Sequence, residues 1–358
     1  MGYTSVANRS DAVVAAAELA GESSDVSGDE ISTFLARYPL LVEQVVAEAG
    51  VVEPVLCARA LRQAQGDLVR AVSLVRAWAA TLPRLHEACV AASELRALRR
   101  ITPGFSQPPG GQYLGASLDY AQRLLQLGAL PPRTTPNGKP VSPADLEETV
   151  LSEFPGTIGP LQDEGLIEIE RSAEPRDITR VKRADAGRGA LLQFLARGET
   201  GAMTALAYTA IRGYGHRQDP TLIDFRSGML PIRMQRPGGG EFTIGEVPAT
   251  FADVVLYRMH DDGGADARLT LGFGATPGRV ERRAIAAAML DAGCARASQD
   301  PDGERNPCDD EEFITIALDG QEASGFVEHL KLPHYVTFTS DLDRVRASRA
   351  NAGAEEPA

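Results

Sequence analysis

FADVVLYRM (Phe251 to Met259), ARLTLGFG (Ala267 to Gly274) and RVERRAIAAAMLDAG (Arg279 to Gly293) follow one another in the C-terminal half of the chain. The first two are rich in β-branched and aromatic residues over strand-like lengths, and the third carries apolar residues at helical spacing. EEFITIAL (Glu311 to Leu318) and HYVTFTS (His334 to Ser340) read as further strands, with polar turns between them. Strands and a helix mixed in one unit predict an α+β domain over residues 191–345 with a mostly antiparallel sheet.

Outward from this unit, the text becomes helical. Residues 27–103 open with SGDEISTFLARYPLLVEQVVAEAG, in which Ser27 and Glu30 have the spacing of a capping box. Ile31, Phe34, Leu35, Leu41, Val42 and Val45 keep a helical period that Pro39 interrupts. Further on, Gly66 and Asp67 separate two amphipathic segments, and Asp67 is placed to cap the second, whose apolar stripe is Val69, Val72, Leu74, Val75 and Trp78. Residues 104–190 read as a loop-rich connection, with a helix starting near Ala116 or Ser117 and exposed polar text over 131–143 and 170–189. A helix from Gly189 to Tyr208 follows. Residues 1–26 are expected to form a partly disordered arm with a short helix from Asp11 to Gly21, and 346–358 a disordered tail.

Composition narrows the function classes. The chain has 358 residues, 43 % hydrophobic and 24 % charged, which is ordinary for a soluble globular protein. A formal charge of -13 disfavours general nucleic-acid binding, which rewards clustered Lys and Arg, but leaves open an anionic small substrate held by local arginines. Apolar runs fall short of the roughly 18 residues of a membrane span, and the alanine-rich stretch from Asp11 to Ala20 lacks the form of a signal peptide, so a cytoplasmic protein is expected. Cysteines 57, 89, 294 and 308 contain no CxxC pair and read as reduced thiols.

Six motifs offer chemistry, in five candidate sites, each beside a structural alternative. PPGGQYLG (Pro108 to Gly115) presents Gly110, Gly111 and Gln112 either as an anion cradle or as a boundary turn. IRGYGHR (Ile211 to Arg217) and IDFRSG (Ile223 to Gly228) place Arg212, Tyr214 and Arg226 among glycines, a phosphate-binding mixture or a solvated face. GFGATPGRVERR, from Gly272, is a phosphate-type loop or a helix start with Thr276 as N-cap and Pro277 as first helical residue. In DDEEF (Asp309 to Phe313), Asp310 and Glu311 are candidate carboxylates for a cationic centre or members of an acidic turn. HLKLPH sets His329 and His334 five apart, a spacing that misses one helix face. Pro333 pushes Leu332 out of the helical region, so both imidazoles can turn toward one ion, as an incomplete zinc site with two ligands of the usual four.

Taken together, PPGGQYLGASLDYAQRLL, EPRDITRV, ALAYTAIRGYG, IDFRSG and DEEFITIALDGQEASGFVEHLKLPHYVTF closely resemble PhnI, the I-subunit family of the bacterial carbon-phosphorus lyase core complex. The resemblance runs from about Glu43 to Phe338. It implies phosphonate catabolism, with G, H, J, K and L subunits as partners. In that setting an alkylphosphonate such as methylphosphonate displaces adenine from ATP, expected as its magnesium complex, to give ribose 1-phosphonate 5-triphosphate. The isolated subunit is expected to be a purine nucleoside triphosphate nucleosidase, releasing the base from ATP or GTP. The resemblance also implies that His329 and His334 bind zinc at the interface with the J subunit. For the triphosphate grip such chemistry needs, Arg212, Arg226 and Lys331 with Gly110 and Gly111 are the candidates; Asp310 and Glu311 are candidates for charge near the anomeric carbon, and Tyr214 or Gln112 for base or ribose. A noncatalytic scaffold that docks the J subunit through the same zinc site is the alternative.

Overall fold

The computed structural model of the chain describes residues 9–24, 28–84, 90–115, 117–120, 155–168, 173, 177–179, 187–212, 220–236, 238–257, 268–299, 303 and 305–354. It opens with helices α1 (Arg9–Ser24), α2 (Gly28–Arg37), α3 (Pro39–Ala49), α4 (Pro54–Gln63) and α5 (Leu68–Ala80). Pro39 sits in the first turn of α3, where a missing N–H costs nothing, and the Asp67 side chain accepts from the Arg70 N–H at 3.0 Å to start α5. Ile31, Val42, Val45, Leu61, Val72 and Val75 are buried between these helices. Cys57 lies among them, and burial, reinforced by the charge of Glu53, pushes its thiol up to about 12, so it is an inert core group.

Next comes β1 (Arg96–Ile101), inside text expected to be helical. ELRALRRI is built from helix formers, but pairing with a neighbouring strand overrides that weak preference. After α6 (Ile158–Asp163), the expected helix from Gly189 to Tyr208 is two, α7 (Arg188–Arg197) and α8 (Thr200–Arg212). They part at Gly198, which packs against Leu318, and the Glu199 carboxylate accepts the first N–H groups of α8, from Gly201 and Ala202. Strands β2 (Thr221–Gln235), β3 (Glu241–Tyr257) and β4 (Leu269–Pro277) follow, and the sheet order β1-β2-β3-β4 is antiparallel throughout. The α+β expectation holds.

α9 (Glu281–Gln299) lies against one face of the sheet, and its alanines explain how closely. A Cβ on Gly274 would stand 2.0 Å from the Ala284 carbonyl oxygen, and one on Gly272 2.2 Å from that of Ala288. Glycine on the strand against alanine on the helix therefore lets the two backbones meet, and the glycines of GFGATPG serve packing. Thr276 does not cap the helix: β4 runs on through Pro277, and the Thr276 hydroxyl accepts from the Arg283 guanidinium at 3.2 Å. Leu191, Leu195, Met203, Phe225, Val254 and Leu290 complete the core on this face. The opposite face is covered by Ile158, Leu161 and Ile167, packed on Ile223, Val255 and Leu271.

Two expected strands are helices. EEFITIAL forms α10 (Glu311–Ala317): Asp310 accepts from the N–H groups of Glu312 and Phe313, and of the large apolar side chains Ile314 and Leu318, four apart, are buried beside Thr315, while Phe313 and Ile316 face outward. α11 (Gly320–Glu328) follows, and HYVTFTS opens α12 (Tyr335–Ala354), beginning just past Pro333. Helix also replaces most of the expected tail, through Ala354, because the charged and alanine-rich text after Asp341 is a good helix former. Near Ala116, the described part of the expected helix is a single turn, Leu118–Tyr120. No helix among the described residues is long and apolar enough to cross a membrane.

A buried polar latch fastens the N-terminal helices to the sheet domain. Arg283 is fully buried and donates to the Gly198 and Ala196 carbonyls, each at 2.9 Å, and to Thr200 Oγ1; its guanidinium stands 3.5 Å from the Glu48 carboxylate. Glu48 also accepts from the Thr200 N–H at 3.1 Å and from Gln44 at 3.0 Å. Burial pulls Arg283 down to about 10, with Glu48 opposing the fall. Two expectations follow for urea unfolding. Gly274→Ala should cost about 3 kcal/mol by overpacking the strand on α9. Glu48→Ala should cost about 3–5 kcal/mol, because it strands a buried guanidinium.

Candidate ligand and metal sites

His329 ends α11 and opens a single 3-10 turn (His329–Lys331), after which Leu332 is extended at φ -74°, ψ 157° and Pro333 leads to His334. This is the bend the proline demanded, and it brings the two imidazoles together, with ring centroids 5.3 Å apart and planes at 67°. His329 Nδ1 bonds the Phe326 carbonyl, and His334 Nδ1 bonds the Leu332 carbonyl at 2.6 Å. A carbonyl oxygen only accepts, so each Nδ1 carries a proton, and in the neutral imidazole Nε2 is then the nitrogen with the lone pair. That is the tautomer a metal ligand needs, oriented by its own backbone. The pair thus fits half of a zinc site. Among the described residues, no group of three or more His, Cys, Asp or Glu could hold a metal ion. Cys308, close in sequence, is buried in the core on the α9 face, where burial, and then Asp309, raises its pKa.

The surface around the histidines is apolar. Phe326, Val327, Leu330, Leu332, Val336 and Phe338 are each between 63 and 72 % exposed. A run of large apolar side chains this exposed, around metal-competent imidazoles, marks a surface made for contact. Lys331 lies within it, exposed and paired with Glu328 at 3.4 Å.

A second polar centre sits on the sheet face opposite α9. Arg100 on β1 is directly across from Arg226 on β2, and Asp224 is across from Asp253 on β3. Asp224 stands 3.4 Å from the Arg100 guanidinium and 3.6 Å from that of Arg226, while Asp253 accepts from Arg226 at 2.7 Å. Two arginines and two aspartates therefore balance one another inside the fold. The glycine loop joins this centre through Arg100, whose Nη1 donates to the Pro109 carbonyl at 2.7 Å and the Gly111 carbonyl at 3.4 Å. Gly110 and Gly111, at φ 76° and 78°, supply the left-handed backbone that lets these carbonyls curl around the guanidinium. The neighbouring Arg99 holds the same loop from its other end, donating to the Leu114 carbonyl and pairing with Asp119 and Glu281. Burial raises the Glu281 pKa, and the Arg99 charge opposes that rise.

The structure thus brings together Gly110, Gly111 and Arg226, but around internal cation–carboxylate pairs. Gln112 is exposed on the loop, Arg212 is exposed at the end of α8, and Tyr214 lies outside the described residues. Asp310 caps α10, and Glu311 is exposed in its first turn. Arg99, Arg100, Asp224 and Asp253 escaped the sequence reading. Their signal was charge inside strand text, as in the Asp224–Arg226 alternation of IDFRS.

Comparisons with known proteins agree on a family. Residues 2–352 match the family model described as bacterial phosphonate metabolism protein (PhnI). The chain is 37 % identical over 370 residues to HtxH of Stutzerimonas stutzeri, named as a C-P lyase subunit protein, covering 99 % of this chain and 98 % of that one. It is 37 % identical over 320 residues to alpha-D-ribose 1-methylphosphonate 5-triphosphate synthase subunit PhnI of Escherichia coli (strain K12), covering 86 % of each. The protein of the same name in Rhizobium meliloti (strain 1021) is 34 % identical over 338 residues, with 91 % and 88 % covered. The chain belongs to the PhnI family of bacterial phosphonate metabolism proteins.

Proposed function

We propose that this chain serves phosphonate catabolism as the I-type subunit of a carbon-phosphorus lyase system, in which an alkylphosphonate displaces adenine from ATP. The relatives' name describes a ribose with methylphosphonate on C1 and triphosphate on C5. ATP already carries the C5 triphosphate, so one exchange at C1 yields that product. A phosphonate oxygen forms the new C1–O bond, the C1–N bond breaks, and the departing base takes the bonding pair and a proton. Water in place of phosphonate would release the base as a nucleosidase does.

The observation that carries the reading beyond the family is the histidine pair, with both Nε2 atoms free for a metal within an exposed apolar surface. His329 and His334 would hold zinc jointly with residues of a partner, the J-type subunit in this reading, with G, H, K and L-type subunits completing the system. Bound zinc would supply Lewis acidity to an anionic oxygen at that interface. This chain's part is to hold the two imidazoles in one tautomer and to present the apolar surface that excludes water around them. A scaffold role is favoured by a different observation: Arg226 and Asp310 are already committed to internal partners.

Coexpression with the G, H and J-type subunits tests both. Each of His329→Ala and His334→Ala should lower zinc affinity of the purified complex at least about 10-fold, read by metal analysis after dialysis. The unaltered complex should release adenine from ATP and methylphosphonate, followed by chromatography. Zinc loss and failed assembly, with no adenine from the unaltered complex, would instead identify a scaffold. Asp310 separates cap from catalyst: Asp310→Ala should cost about 1 kcal/mol, and Asp310→Asn nearly nothing, since Asn caps as well. A fall in adenine release with Asp310→Asn at unchanged stability would assign the carboxylate a charge role.

A further inference from the structure

Between the N-terminal helices and the sheet domain lies a cavity of about 920 Å³, lined by Arg76, Arg84 and Arg197 together with Leu82, Ile178 and Phe194. Apart from Ile178, in EPRDITRV, none of these residues belongs to a motif discussed above. Each arginine is pinned by part of its guanidinium. Arg76 donates to the Glu48 carbonyl at 2.6 Å, the Arg197 carbonyl at 3.2 Å and Gln321 at 3.3 Å. Arg197 donates to the Ala49 carbonyl at 3.0 Å, and Arg84 to Thr179 at 2.7 Å while pairing with Asp177. The Nε atoms of Arg76 and Arg197 are buried without a hydrogen-bond partner among the described residues.

The charges are not balanced from within. Asp177 is engaged by Arg84 and Thr179, and Asp319 caps α11 through the Glu322 N–H at 3.1 Å while its charge, with that of Glu48, acts on Arg76, so three arginines and Arg283 share these three carboxylates. Arg197 has no carboxylate partner among the described ion pairs. Burial, then repulsion from Arg76 and Arg84, pulls it down to about 10. Three guanidiniums held near one another, with donors unspent, form a site that an anion would complete. Its volume lies at the upper end of the roughly 300–1,000 Å³ of small-molecule pockets, well beyond one phosphate. Leu82, Ile178 and Phe194 add apolar side chains to its wall.

We infer that this cavity binds an oligophosphate chain, with Arg76, Arg84 and Arg197 as its cationic grip and the apolar side chains of its wall taking an attached organic group. The assignment stands on the cavity and is independent of base exchange. The three arginines all belong to this chain, so binding is tested on this chain by itself.

Isothermal titration of the full chain with sodium tripolyphosphate, ATP and adenosine tests it, with thermal melting to verify folding of each variant. Tripolyphosphate and ATP should bind one per chain and adenosine should not; tighter binding of ATP than tripolyphosphate would identify a nucleotide as the ligand. Arg84→Gln, at a half-exposed position, and Arg197→Gln should each weaken tripolyphosphate at least about ten-fold, the loss of one charge-assisted contact. Absence of tripolyphosphate binding at millimolar concentration would overturn the inference. So would unaltered affinity in folded Arg84→Gln or Arg197→Gln, or loss on Arg226→Ala alone. None of these outcomes depends on adenine release.

Discussion

The contact between Glu48 and Arg283 governs how the two halves of this protein meet. Both side chains are buried, and taking such a pair out of water costs more than its attraction returns unless every remaining donor is satisfied. Here they are shared out: Arg283 spends its N–H groups on Ala196, Gly198, Thr200 and Thr276, and Glu48 takes those of Thr200 and Gln44. Two of the acceptors are carbonyls at the end of α7, which a helix leaves unpaired. The break between α7 and α8 is therefore held open by an arginine from α9, and α3 is fixed to that break through Glu48. The arginine cavity is a by-product of this joint, since Arg76 docks on the Glu48 carbonyl and Arg197 closes α7.

What the amino-acid sequence reveals depends on how local the cause is. The caps and breaks at Pro39 and Asp67 are set by neighbours within four residues and were readable. So was the bend at Pro333, which needs only one proline ring to turn Leu332 extended. β1 and β2 were not, because their arginines and aspartates look solvated until cross-strand register places Arg100 beside Arg226 and Asp224 beside Asp253. The β-branched residues of α10 misled in the opposite direction. Ile314 packs inward at helical spacing from Leu318 while Ile316 faces water, and that pattern appears only once the core beneath it exists. The arginines of the cavity stand at positions 76, 84 and 197, with nothing local to link them.

Charge is handled in two different ways in this chain. On the sheet, cations and carboxylates alternate and cancel, and the glycine loop is wrapped onto a guanidinium that structure alone requires. At the cavity, guanidiniums outnumber the carboxylates available to them. The first arrangement fixes a shape; the second leaves binding capacity. Arginine count alone would not separate the two, and neither would exposure.

α11 joins the cavity to the histidine pair. Asp319, its N-cap, lines the cavity, and His329 is its C-cap, so nine residues, about 14 Å of helix, separate them. Gln321, in the first turn, bonds both Ser73 and Arg76. A shift of α11 that moved the imidazoles would also move Gln321 against Arg76. Any free-energy coupling along it is reciprocal, so an anion that favours one setting of α11 changes metal affinity by the same factor that the metal changes the anion's.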